Sequence, residues 1–154
     1  MLKKILIALA VIVIGIQFIP VDRSNPPITQ DIDAPAEVKA ILKTSCYDCH
    51  SNETIWPWYS YVSPASFLVA GDVEHGRKRV NFSEWDKYDE NKKAKKLNAI
   101  LEEVEEGEMP LSKYLIMHPA AEMNQEKIKI LKDWIISNHE SEKPLRYEKE
   151  DDKD

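Results

Sequence analysis

The chain has 154 residues and a formal net charge of −6, with 21 Lys and Arg against 27 Asp and Glu. This length supports a single hydrophobic core, and four Gly with nine Pro exclude a collagen-like or low-complexity chain. The acidic balance argues against binding to nucleic acid phosphates, so we expect no nucleic-acid partner. Two Cys are too few for a disulfide-rich scaffold.

Residues 1–21 have the pattern of a membrane anchor or a signal segment. Lys3 and Lys4 precede an apolar run from Ile5 to Ile19, which only Gln17 interrupts. The run is short for a bilayer core of about 30 Å, and its end is bulky where cleaved signals have small residues. The sequence therefore favours an uncleaved transmembrane anchor over a cleaved signal. Because Lys residues stay cytoplasmic, we expect the remaining chain to face the periplasm or the cell exterior.

The rest of the chain divides by composition into three parts. Residues 22–33 are polar and contain two Pro, which predicts a linker that lifts the domain off the membrane. Residues 34–140 carry the helical apolar patterns of one folded domain. Residues 141–154 are highly charged and are predicted to be a disordered acidic tail.

The domain is predicted to be all-α, because helical periodicity recurs and no strand pattern is convincing. Apolar residues recur three and four positions apart in most of the helical segments, and the Gly or Pro residues near them predict where helices start or stop. About four helices are expected: one ending at Ser45, one from Ser63 to about His75 that stops near Gly76, one over 91–106 that stops at Gly107, and one that begins after Asn124.

One short motif carries the chemistry: Cys46, Cys49 and His50 form C-x-x-C-H, the pattern of c-type haem attachment. Two Cys three positions apart near a helix end lie on one side, where each can form a thioether with a haem vinyl group. The adjacent His50 is then held under the iron as an axial ligand. This attachment is made outside the cytoplasm, which agrees with the N-terminal segment. The motif therefore predicts haem c as the cofactor.

Three other interpretations of the motif are weaker. A thioredoxin-like C-x-x-C occurs in a βαβ setting, which the sequence does not show. A structural zinc site needs four ligands, and Cys46, Cys49 and His50 supply three. A disulfide between the two Cys leaves His50 without a role.

Further segments resemble a known family. They are the residues from Cys46 to Asn52, Trp56 to Tyr59, Gly76 to Trp85, and Gly107 to Leu111 with Tyr114 and His118-Pro119. Together they are similar to the bacterial haem-binding-domain family of small monohaem cytochrome c-like proteins, over roughly residues 34–140. The resemblance implies haem binding more firmly than it implies a physiological role. By comparison with class I cytochromes c, we expect the first and last helices of the domain to cross.

Met109 is the first candidate for the sixth iron ligand. It follows the Gly107 helix stop and directly precedes Pro110, as in the ligand loop of class I cytochromes c. A thioether ligand favours ferrous haem and raises the redox potential. A methionine that only fills a gap in the core is the ordinary alternative. The other candidate ligands are His118, His75, Met117 and Met123.

Three more residues are candidates for contact with the haem. Trp56 and Trp85 could wall the porphyrin and donate indole N–H groups to its propionates, although core packing is an equally good interpretation. Arg77, in the run Arg77-Lys78-Arg79, could neutralise a propionate, although such runs are more often solvated helix ends.

The function predicted from these features is one-electron transfer by a membrane-tethered, non-enzymatic cytochrome with His50 and Met109 as iron ligands. The tether would raise the effective concentration of partners at the same membrane, and the acidic chain suggests a redox partner with a basic patch. The alternative is a haem-based sensor of small ligands, or a weak peroxidase, with an open distal site.

Overall fold

The computed structural model describes residues 1–140 and confirms an all-α protein over that range. The described residues form seven α-helices and no strand, with one isolated parallel β-bridge between Gln30 and Glu84. The tail predicted for 141–154 lies outside the described residues. The helices are α1 (Leu2–Ile16), α2 (Ala36–Ser45), α3 (Tyr47–His50), α4 (Ala65–Arg79), α5 (Glu90–Glu105), α6 (Ser112–Leu115) and α7 (Gln125–Glu140).

The apolar N-terminal run forms a helix, α1, but the predicted transmembrane helix is not supported. Within residues 1–140, no helix combines the length and the apolar character that crossing a bilayer requires. The 15 residues of α1 rise about 22 Å, which is less than the ~30 Å of a hydrocarbon core. At the end of the helix, the Gln17 side-chain amide donates to Val13 O in the last turn. The same amide donates to Ser63 O and accepts the Ser63 N–H, which links α1 to the domain.

The segment predicted as a linker, 22–33, is extended and bonded along the domain. The backbone N–H of Thr29 donates to Ser83 O at 3.0 Å, and that of Ile32 donates to Phe82 O at 2.9 Å. The Ile32 side chain belongs to the hydrophobic core and is 2% exposed. The folded unit therefore begins before the predicted boundary at residue 34, because burying Ile32 and pairing its backbone hold the segment in place.

The core is built where α2, α5 and α7 pack together. The contacts of α7 with both α2 and α5 bury the apolar faces that the sequence predicts, and α2 and α7 are the first and last long helices after α1. Asn124 caps α7 by accepting the Lys127 backbone N–H at 2.9 Å. The most buried members of these faces are Val38, Leu42, Val104, Leu131 and Ile135.

The helix predicted to stop near Gly76 continues to Arg79, and Gly76 has a different role. A Cβ placed on Gly76 would lie 2.4 Å from the carbonyl oxygen of Cys49. Glycine is therefore needed there to let α4 approach the backbone of α3 closely. This approach positions the C-x-x-C-H motif, because α3 is a single helical turn that packs mainly on α4.

Candidate functional site

A cavity of about 890 Å³ lies between α3, α4, α5 and the segment that follows α5. Its volume falls in the range of about 300–1,000 Å³ that is typical of cofactor and ligand sites. Cys46, Cys49, His50 and Met109 all line it, so the structure brings four predicted site residues together. The buried hydroxyl of Ser45 is also on the wall and has no hydrogen-bond partner within residues 1–140.

The His50 ring is held in one orientation by the end of α4. Its Nδ1 lies 3.0 Å from Gly76 O and 3.2 Å from Val80 O, and two carbonyl acceptors require a proton on Nδ1. Burial lowers the pKa of His50, while the two carbonyls act in the opposite direction. The neutral tautomer therefore leaves the Nε2 lone pair free, which is the arrangement that metal-binding histidines use.

Cys46 and Cys49 are free thiols with strongly raised pKa values. Burial is the main cause, and it raises the pKa of Cys46 to about 12 and that of Cys49 to about 11. Redox-active and metal-binding cysteines show the opposite shift, because they act as thiolates. Residues 1–140 also contain no cluster of His, Cys, Asp and Glu that could hold a metal ion. The raised pKa values are unlike those of a thioredoxin-like redox site.

Met109 is positioned by the end of α5. Gly107 has a φ of 77°, and the N–H of Glu108 donates to Glu103 O at 2.9 Å, which together make a Schellman cap. The Met109 N–H donates to the same carbonyl at 3.1 Å, so the chain turns directly from the helix into the cavity wall. The side chain of Met109 is half-buried against the core.

The other candidate iron ligands separate into two groups. Met117, Met123 and His75 also line the cavity. His118 does not line it: its ring stacks on Tyr114 with centroids 4.2 Å apart, and its Nδ1 lies 3.3 Å from Tyr114 O.

Two polar contacts that the sequence does not reveal hold α6 across the cavity. The Tyr114 hydroxyl donates to Asp48 Oδ2 at 2.7 Å, and Lys113 Nζ lies 2.8 Å from Asp72 Oδ1. Asp48 is inside the C-x-x-C-H motif and Asp72 is on α4, so α6 is bonded to both α3 and α4. Of these four residues, the sequence analysis singled out Tyr114 as part of the family resemblance, but it did not predict either contact.

One edge of the cavity is cationic. Arg79, Lys95 and Lys96 line it, and none of them forms an ion pair with a carboxylate of residues 1–140. Burial lowers the pKa of Lys96, and the nearby charges of Lys92 and Arg79 lower it further. Uncompensated positive charge beside a mostly apolar cavity favours a ligand with carboxylate groups at one end.

Three predicted site residues lie outside the cavity wall. Trp85 is in the core against Phe82 and Tyr88, and it supports the cavity only through Phe82, which lines it. The Trp56 indole N–H is buried without an acceptor in the described part of the chain. Arg77 points away from the cavity and donates to groups of two other segments: Ser24 O, Asn25 Oδ1, Ser51 O and Thr54 Oγ1.

Arg77→Ala is expected to lower the free energy of unfolding by about 2–4 kcal/mol, because four acceptors lose a charged donor. Urea denaturation would measure the loss. Arg77→Lys should lose less stability than Arg77→Ala but should not match the wild type, since an ammonium cannot reproduce the planar set of donors of a guanidinium. Lys78→Ala is the matched control: this neighbour is exposed, and its recorded ion pair is with Glu74 on the same helix, so we expect no measurable change. Equal effects of Arg77→Ala and Lys78→Ala would contradict the assigned role.

Tyr114→Phe is expected to cost about 1–2 kcal/mol at neutral pH, because a carboxylate loses its donor. Burial, followed by the bond to Asp48, raises the pKa of Tyr114 above its ordinary value of 10.0. A raised pKa gives stability that is complete below pH 10 and declines as the pH rises further. The free energy of unfolding should thus fall less steeply above pH 10 in Tyr114→Phe than in wild type, with exposed Tyr61→Phe as the control. Parallel pH profiles would contradict this.

Comparison with protein families agrees with this site. The Haem-binding domain family matches residues 11–137, which is most of the chain and includes every residue that lines the cavity. No curated protein matches the chain, and no solved structure matches it. The family match agrees with the C-x-x-C-H motif, the oriented His50 and a cavity of cofactor size. The chain belongs to the haem-binding domain family.

Proposed function

We propose that the protein binds haem c covalently and carries single electrons. In this proposal Cys46 and Cys49 would hold the haem by thioether bonds, formed as each thiol adds across a vinyl group, and His50 Nε2 would bind the iron. The observation that carries the proposal is the His50 ring, whose Nδ1–H is held by Gly76 O and Val80 O while both cysteines line the same cavity. When bound, the haem iron supplies reversible one-electron oxidation and reduction.

Met109 is proposed as the sixth ligand. Its support is the Schellman cap at Gly107, which directs the chain into the cavity wall, and the half-buried side chain. Two protein ligands would leave no position for a substrate, so the proposal is an electron carrier and not an enzyme.

The cationic edge is proposed to hold the haem propionates. Arg79 and Lys95 have the charge and the location for this role. The Lys96 ammonium donates to Arg79 O and lies over the Tyr88 ring, and Arg77 is fully used elsewhere. Export and membrane association are part of the same proposal. They are supported by Lys3 and Lys4 in the first turn of α1, whose apolar residues are almost all exposed. The net charge of −6 supports a redox partner with a basic patch.

The test is expression with a c-type haem maturation system, followed by spectra of the ferric and ferrous protein with and without carbon monoxide. We expect haem that stays on the chain after denaturation, a low-spin spectrum, and no change with carbon monoxide. Cys46→Ser and Cys49→Ser should each leave one vinyl group unsaturated in the pyridine haemochrome. A chain without haem would contradict the proposal, and rapid carbon monoxide binding would indicate a ligand sensor instead.

A further inference from the structure

Large apolar side chains are exposed on one part of the domain surface. Trp58 is 71% exposed, Tyr61 60% and Val62 47%. A soluble surface rarely leaves so many large side chains uncovered in one place, and such patches mark contact with a protein or a membrane. We call this surface the apolar patch. Its members are Trp58, Tyr61, Val62 and Phe67, none of which lines the cavity.

The apolar patch is bonded to the end of α1. The Gln17 side-chain amide donates to Ser63 O at 3.0 Å, and its oxygen accepts the Ser63 N–H at 3.0 Å. A few residues later, Arg23 donates to Ser60 O at 3.1 Å, and its guanidinium lies 4.5 Å from the Tyr61 ring centroid. These contacts hold the C-terminal end of α1 beside the patch.

The chemistry of the combined surface favours lipid over protein. No residue of α1 is buried, so this helix is apolar around its whole circumference with nothing packed on it. A protein groove would cover one face of such a helix, whereas lipid covers every face. Trp and Tyr side chains together with a nearby Arg are typical of the headgroup region of a bilayer. Lys3 and Lys4 at the opposite end of α1 fit an anionic surface.

We propose that the apolar patch docks on a phospholipid bilayer beside α1 and fixes the orientation of the domain. This inference rests on the membrane association in the proposed function and adds a second contact with the bilayer. Ile55 and Leu68 lie next to the patch in the chain and line the cavity. Docking therefore brings one margin of the haem site to the membrane surface, where a membrane-bound redox partner would meet it.

The test uses the full-length, haem-loaded protein and vesicles of phosphatidylcholine and phosphatidylglycerol that contain a diazirine-labelled phospholipid. After flotation and irradiation, mass spectrometry maps the residues that carry lipid. We expect labels in α1 and in residues 58–67. In Trp58→Ser/Tyr61→Ser, labelling of the patch relative to α1 should fall by about tenfold, as expected when buried aromatic area is lost.

The controls separate the two contacts. Ile136→Ser removes an exposed apolar residue from α7, which packs on α2 and α5, and it should leave the labelling unchanged. The variants should keep the wild-type haem spectrum, and Trp58→Ser alone should lower patch labelling if the double variant does not fold. Labels confined to α1 would overturn the docking while membrane association stands. Failure of the wild type to float with vesicles would overturn membrane association as well.

Discussion

Gly76→Ala is expected to lower the free energy of unfolding by about 3 kcal/mol or more, which is a large part of the stability of a small domain. The added methyl group would lie 2.4 Å from Cys49 O and 3.0 Å from the Cys49 carbonyl carbon. Both atoms are backbone, so no side-chain rotation relieves the clash, and α4 must move away from α3. Urea denaturation of the wild type and the variant would measure the difference.

The matched control is Gly71→Ala, one turn earlier on the same helix. A Cβ at Gly71 has no atom within 4 Å, so alanine should raise the helix propensity and stabilise the protein by about 0.5–1 kcal/mol. Opposite signs for the two substitutions are the expected result. A stabilising effect of Gly76→Ala would contradict the close approach of α4 to α3.

The same substitution should disturb the haem site. Moving α4 separates Gly76 O and Val80 O from His50 Nδ1, which removes the bonds that orient the ring. Loss of such a bond typically weakens metal binding by about 10–100-fold. A Gly76→Ala protein that folds should therefore show a heterogeneous haem spectrum, whereas Gly71→Ala should match the wild type.

Met109→Ala is expected to remove the ferric charge-transfer band typical of His–Met ligation and to open the ferrous iron to carbon monoxide. The redox potential should fall by on the order of 0.1 V, a fraction of the ~0.8 V range that axial ligands control. Absorption spectroscopy and a potentiometric titration would measure both changes. The physical reason is that a thioether favours the ferrous state and water does not.

Two other methionines on the cavity wall provide controls for this prediction. Met117→Ala and Met123→Ala should keep the band, because the Schellman cap at Gly107 directs only Met109 from α5 into the wall. If Met109 only filled a gap, Met109→Ala would cost stability while the band persisted. Loss of the band in Met123→Ala would indicate that Met123, and not Met109, binds the iron.

Local sequence patterns predicted those helices well whose apolar residues all lie on one face. The apolar stripes of α5 and α7, the Asn124 cap and the Gly107 stop are all properties of neighbouring residues. Gly76 was misjudged because a glycine near a predicted helix end is usually a stop. Gly76 is needed because the backbone of α3 lies against it, and this contact between separate helices is not apparent from the sequence.

Contacts between segments that are distant in the chain account for the remaining differences between the predicted and the observed structure. The polar composition of 22–33 suggested a free linker, yet pairing with residues 82–84 and burial of Ile32 hold it in place. Arg77 and Arg79 are equivalent in the sequence, two positions apart in a cationic run. Helical geometry turns them to different sides, so Arg77 binds backbone carbonyls while Arg79 faces the cavity.

The sequence by itself determined which side chains are available to hold a haem, because C-x-x-C-H places two thiols and an imidazole within five consecutive residues whatever the surrounding fold. It also determined an all-α domain, because helix periodicity is local. Only the tertiary structure decided which carbonyls orient His50, which cations lie beside the cavity, and how α6 is held by Asp48 and Asp72. Those contacts join residues 26 to 66 positions apart, and such pairings depend on how helices pack and not on any one segment.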